Sequence, residues 1–213
     1  MPELPPNFTF KEWTSDTIPK TDLEACYKLV RRLKPMYESS GYGWNTAQKR
    51  QEMVKDDLLY FIVYEPKDKL AAFLSFTPSD QEFLDDEEIP SGQKNSTVTY
   101  IYELHSKVTG LGLGQFLVER AKERARKTIG VEKIMLTVFA VNTRAQNFYM
   151  WNGFSIYTND THKVEEARQE IVHMEPRTRR QQLELPKHNW HPDLILKNAP
   201  SNLRGWFQMS CEV

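Results

Sequence analysis

Apolar residues recur at Leu23, Cys26, Tyr27, Val30, Leu33 and Met36, close to helical spacing, and predict an amphipathic helix over Thr21 to Ser39. Thr21 or Asp22 would cap it, and Gly41 and Gly43 would end it. A second, polar helix is expected from Asn45 to Lys55. The period then changes. Leu58 to Tyr64 is an aromatic and branched run that predicts a strand, Pro66-Lys67-Asp68 reads as a turn, and Leu70 to Phe76 as the returning strand of a hairpin. Ser79 to Ser96, centred on Asp85-Asp86-Glu87-Glu88, is polar and acidic and reads as a solvated loop.

Strand character resumes over Val98 to Leu104, and a glycine-rich turn, Gly110 to Gly114, leads into a helix from Gln115 to Thr128. Lys133 to Phe139 predicts the next strand, and Asn142 to Asn152 a short helix that Gly153 would close. Further on, Glu165 to Gln182 reads as a solvated helix, Pro186 to Pro200 as a loop and Trp206 to Cys211 as a last strand. The expectation is an α/β (mixed α+β) fold, a mixed sheet flanked by helices. Residues 1–20 would form an N-terminal arm, 21–158 the main domain and 159–213 a C-terminal extension that could contribute a last strand.

Composition narrows the class only a little. The chain has 213 residues, enough for one domain with appended segments, and 39% hydrophobic residues supply a core. A net charge of -1 gives no global pull toward nucleic acid or a membrane. No apolar run approaches the roughly 20 residues that span a bilayer. The N-terminus does not read as a secretory signal. Two distant cysteines, Cys26 and Cys211, favour a reducing compartment. His188 and His191 lack a third ligand nearby, so no metal is expected. Arg177-Thr178-Arg179-Arg180 reads as solvated surface, with a DNA contact or a nuclear address as alternatives.

The glycine turn carries the chemistry. A helix N-terminus offers unpaired amides and partial positive charge, which suit a phosphate, and glycines let a pyrophosphate approach them. A Rossmann fingerprint fails because Gln115 stands where a third glycine belongs; a Walker loop fails because Gln115-Phe116 follows Gly114. A tight turn without a ligand is the alternative.

The run Thr109-Gly110-Leu111-Gly112-Leu113-Gly114 resembles the acetyl-coenzyme A signature of GCN5-related (GNAT) acetyltransferases, with Thr109 in place of the usual Gln or Arg. Thr137-Val138-Phe139, then Asn142 and Ala145 to Phe154, resembles the family's second element. A narrower resemblance is to NatD-type histone N-α-acetyltransferases. It rests on Tyr37 to Ser40, Gly43-Trp44-Asn45, Lys49-Arg50, Glu52-Met53, Tyr100 to Glu103 and Met135 to Phe139. Tyr42 stands where those enzymes usually have Trp, the Glu103 to Gly112 stretch is about two residues shorter, and their Tyr-bearing last strand is not recognisable.

The resemblance implies acetyl-CoA as co-substrate, and histone tails beginning Ser-Gly-Arg-Gly, those of histones four and two-A, as acceptors. The expectation is a monomer in nucleus and cytoplasm, with no membrane association and no direct nucleic-acid binding. Amides around Leu111 to Gln115 would hold the pyrophosphate, and Asn142 the pantetheine arm unless it serves as a helix cap. Glu103 would be the general base, unless it pairs structurally with a basic neighbour. An amide near Leu104 would polarise the carbonyl. Tyr149 would protonate the leaving sulfur or pack against the cofactor. For the basic tail, Tyr37, Tyr42, Trp44, Tyr100 and Tyr102 are aromatic candidates, with Thr137, Asp80 and Glu82 as polar ones. A GNAT acting on a lysine or small amine, and an inactive binding homologue, are the rivals.

Overall fold

The computed structural model describes residues 2–81, 97–156 and 206–213. The acidic loop, Glu82, the helix expected at Glu165 to Gln182, the loop at Pro186 to Pro200, the basic stretch at 177–180 and both histidines at 188 and 191 lie outside these residues. The elements run β1 (Thr9–Thr14), α1 (Lys20–Val30), α2 (Lys34–Ser39), α3 (Thr46–Glu52), β2 (Leu59–Glu65), β3 (Lys69–Gln81), β4 (Thr97–Ser106), α4 (Leu113–Arg126), β5 (Val131–Phe139), α5 (Thr143–Trp151), β6 (Ser155–Ile156) and β7 (Trp206–Glu212). Seven strands join in one mixed sheet, ordered β1-β2-β3-β4-β5-β7-β6. The first four are antiparallel neighbours, and β4 pairs with β5 in parallel.

The chain divides into two compact units, Met1–Arg32 with Asn45–Leu136 and Cys211–Val213, and Leu33–Trp44 with Thr137–Ser210. In the first, the sheet has two differently filled faces. Phe10, Phe61, Phe76 and Phe116 meet edge to face with centroids 4.8–5.4 Å apart, joining α4 to one face. The other face carries Tyr60, Phe73 and His105 in a stack of rings across β2, β3 and β4, at 6.2 and then 5.4 Å. Helix α1 is tied to this second face where Tyr64 donates to Asp22 at 2.6 Å. Aromatic pairs of this kind add about 1 kcal/mol each beyond the area they bury. In the second unit Tyr37, Tyr42, Trp44 and Phe139 form their own cluster, and β6 pairs with β7 through Ser155–Ser210 and Ile156–Met209.

Several expectations shift. The single helix over 21–39 is α1, a 3-10 turn at Arg31–Leu33, and α2. Pro35 explains the break: it has no N–H to donate to the preceding turn, and its ring is tolerated only in the first turn of a new helix. Pro19, not Thr21 or Asp22, occupies the N-cap of α1 and makes no side-chain cap bond. β3 continues through Ser79 to Gln81, which were expected to be loop, because they pair on toward Thr97. β1 lies inside the segment read as an arm; its residues are mostly exposed and present no apolar alternation, so periodicity does not reveal it. The helix after the glycine turn begins at Leu113, earlier than expected. Trp206 to Cys211 is a strand, β7.

Candidate active site

β4 carries the polar centre of the first unit. Ser75 of β3 pairs with Glu103 and the next residue, Phe76, pairs with Ile101, so Tyr102 is an extra residue in β4. Such a bulge lets neighbouring side chains emerge on one face instead of alternating. Here they do. Glu103 meets Lys49 of α3, and Tyr102 accepts from Lys55 just beyond that helix, at 2.7 Å. Tyr100, 5.2 Å from Tyr102 ring to ring, joins them. The parallel ladder to β5 ends at the Ile101–Leu136 pair, while β4 runs on to Ser106.

Glu103 is only 6% exposed and both its oxygens are engaged. Oε1 accepts from Lys49 Nζ at 3.2 Å, and Oε2 lies 2.7 Å from His105 Nε2. Lys49, itself buried, also donates to Glu52 at 2.8 Å. Burial pushes the Glu103 carboxyl up; the His105 hydrogen bond and the charges of His105 and Lys49 outweigh it and hold the group below the usual carboxylate range. An ionised carboxylate can only accept, so His105 Nε2 carries the shared proton. Glu103 is therefore paired with basic neighbours, on the strand that leads toward the glycine turn. Ser75, 1% exposed, stands opposite Glu103, and its hydroxyl has no hydrogen-bond partner among the described residues.

The glycine turn follows β4. Gly110 and Gly112 take φ of 81° and 71°, the left-handed region that costs other residues about 1–2 kcal/mol. Gly112 is the N-cap of α4, with no side-chain cap. A Cβ built at Gly110 or Gly112 would meet nothing within 4 Å, so the turn is open on its outer side. Among the described residues no turn or cap bond takes an amide of Leu111, Gly112, Leu113, Gly114 or Gln115 as donor, and the first such bond is from Phe116 to the Gly112 carbonyl, at 2.9 Å. Thr109 and Gly110 to Gly112 are exposed and Leu113 is buried, anchoring the helix start to the core. A phosphate fits that arrangement on donor chemistry alone: unspent amides, small residues and the positive end of a helix. Leu104, paired with Leu74, is on the adjoining strand.

In the second unit, Asn142 caps α5, its Oδ1 accepting from Ala145 N–H at 3.2 Å, so the cap reading holds. Gln146, which the sequence did not single out, is 2% exposed and donates from Nε2 to the carbonyls of Phe139 and Ala140, at 3.1 and 2.8 Å. It fixes the turn that aims Asn142. Tyr149 is buried on α5 against Phe148 and Phe154. Tyr37, also buried, is ringed by Tyr42, Trp44 and Phe139 at 4.7–5.8 Å, and Tyr42 is 57% exposed. Thr137 is half-buried on β5. Asp80 pairs with Val98 on β3.

Lys49 and His105 are the other residues that reading the sequence as helix and strand passed over. Lys49 sits in a helix read as polar. His105 is two residues from Glu103 on one strand, a spacing that puts both side chains on one face and was the available signal.

A mixed sheet with a bulged fourth strand, followed by an open glycine turn at a helix start, makes an α/β domain with an anion-receptive loop. The chain belongs to the acetyltransferase (GNAT) family, whose description matches residues 23–154. It is 31% identical over 148 residues to N-alpha-acetyltransferase 40 of Saccharomyces cerevisiae, which covers 62% of this chain and 51% of the relative. The chain thus spans about half the length of that curated relative. Among solved structures it is similar to Arabidopsis thaliana NAA60 in complex with acetyl-CoA, with a TM-score of 0.53, 17% identity, and coverage of 70% of this chain and 85% of the other. It is also similar to Tetrahymena GCN5, with a TM-score of 0.53, 11% identity and 96% coverage of both chains. Both likenesses concern the fold.

Proposed function

We propose that this chain is an N-α-acetyltransferase that moves acetyl from acetyl-CoA to the free α-amine of histone tails beginning Ser-Gly-Arg-Gly. The observation that carries the reading is the 31% identity to N-alpha-acetyltransferase 40. The open amides of Leu111 to Gln115 support pyrophosphate binding, and Asn142 remains assigned to the pantetheine arm. Tyr100 and Tyr102, and separately Tyr37, Tyr42 and Trp44, offer aromatic surface for a basic peptide. Thr137, Asp80 and Glu82 remain assigned to the same peptide, and Tyr149 to the departing sulfur. Nucleus and cytoplasm, a monomer and the histone acceptor belong to this proposal.

The amine must be neutral to attack. An α-amine titrates near 8, so about a tenth is neutral at pH 7, whereas a lysine near 10.4 needs roughly 3–4 kcal/mol more. A modest proton acceptor serves the first and not the second. Glu103 and its neighbours supply a carboxylate-anchored polar centre of that modest kind.

The test is acetyl transfer to a peptide panel. Turnover is expected on a free Ser-Gly-Arg-Gly terminus, none when that α-amine is blocked, and no change when the lysines are. Transfer that follows the lysines would favour the lysine rival, and acetyl-CoA binding without turnover the inactive homologue.

A further inference from the structure

We propose that His105, rather than Glu103, is the group that takes the proton from the attacking amine, with Glu103 and Lys49 as positioning residues behind it. The inference rests on the proposed acetyltransferase reading and assigns one role within it. Three observations carry it. Both Glu103 oxygens are engaged, one by Lys49 at 3.2 Å and one by His105 at 2.7 Å, and the side chain is only 5% exposed, so the carboxylate is screened from an incoming amine. In the neutral imidazole the bond to Glu103 fixes the tautomer: Nε2 carries the hydrogen, which leaves Nδ1 as the acceptor. Nδ1 has no hydrogen-bond partner among the described residues, and the His105 side chain is 10% exposed where that of Glu103 is 5%.

The surroundings fit a held imidazole. Phe73 stacks on the ring at 5.4 Å and 17°, which leaves it little freedom to rotate. The charged and titratable groups on that face are Glu103 on its own strand, Lys49 and Glu52 from α3, Tyr60 from β2 and Cys26 from α1. Burial pushes both the Tyr60 hydroxyl and the Cys26 thiol up, out of the range where they would exchange protons near neutrality. His105 is also close in sequence to the turn at Thr109, so it stands on the strand that feeds the cofactor cradle.

The step balances as follows. The amine nitrogen forms a bond to the thioester carbonyl carbon, and its N–H proton passes to Nδ1. The C–S bond then breaks, its electron pair leaves on sulfur, and the proton on the imidazolium returns to that thiolate or to water. Glu103 stays ionised throughout and stabilises the imidazolium.

The experiment is the pH dependence of kcat/KM for wild type, His105→Gln and Glu103→Gln on the Ser-Gly-Arg-Gly peptide. Thermal unfolding and coenzyme A calorimetry on each variant confirm that it folds and binds. Wild type should show an acid limb that disappears in His105→Gln, with a loss of about 100-fold at the plateau. Glu103→Gln loses the charge behind the imidazole, so its limb should remain while its plateau falls. If Glu103→Gln erases the limb while His105→Gln keeps it, the proton goes to the carboxylate and the proposal fails. A His105→Gln variant with the wild-type profile also overturns it. A wild-type protein inert on every peptide would instead sink the acetyltransferase reading, and this inference with it. Should His105→Gln not fold, the imidazole resonances of wild type and Glu103→Gln decide: the His105 titration must coincide with the kinetic limb in both.

Discussion

At the level of single residues, the buried charges on β4 and α3 set the clearest expectations. Lys49 holds two carboxylates, and removing one member of such a buried group strands the others without water or a counter-charge. Lys49→Met is therefore expected to cost about 3 kcal/mol, read as a lower urea midpoint at pH 7. The carboxyl of Glu103 titrates lower in the folded chain than in the unfolded one, where it is near 4.3. Its contribution to stability is thus complete above that unfolded value and drains away as pH falls through the folded one. Urea unfolding of wild type and Glu103→Gln should show a gap at pH 7 that narrows as pH falls below about 4. In turnover, Glu103→Gln should lower kcat more than it weakens acetyl-CoA binding; equal losses in both, or none, would remove Glu103 from the reaction.

Among elements, the start of α4 and the start of α5 do different work. Gly112→Ala places a side chain in left-handed backbone at a cost of about 1–2 kcal/mol. Because the added Cβ meets no protein atom within 4 Å, the remaining effect falls on whatever approaches those amides. Calorimetry with coenzyme A should show at least a tenfold weaker Kd, beyond what the drop in Tm explains. Asn142→Ala removes a cap worth about 1 kcal/mol and should lower Tm by a few degrees. These starts were legible in the sequence because glycine and asparagine announce them. The interruption at Arg31–Leu33 was less so: the apolar spacing from Leu23 to Met36 carries straight through it, and only Pro35 marks it. β1 left no trace at all, since an edge strand with an exposed face needs no apolar alternation.

For the whole molecule, the family fold and the glycine cradle could be read from order and spacing. The polar centre could not. Glu103 was visible as an acid at a strand end, but its partners come from α3 and from two residues along its own strand, which no local pattern joins. Acceptor choice also belongs to this scale. If a basic tail is drawn to scattered tyrosines and carboxylates, raising salt from 50 to 300 mM should raise KM for the histone peptide while leaving kcat nearly unchanged. A KM indifferent to salt would speak against recognition by charge.

The extra residue at Tyr102 makes β4 sensitive to counting rather than to composition. Deleting Tyr102 would restore simple alternation and leave Glu103 opposite Ser75, whereas deleting Leu104 would put Glu103 and His105 on opposite faces of the sheet. A change of length is therefore tolerated at the bulge and not between the two side chains that share a proton.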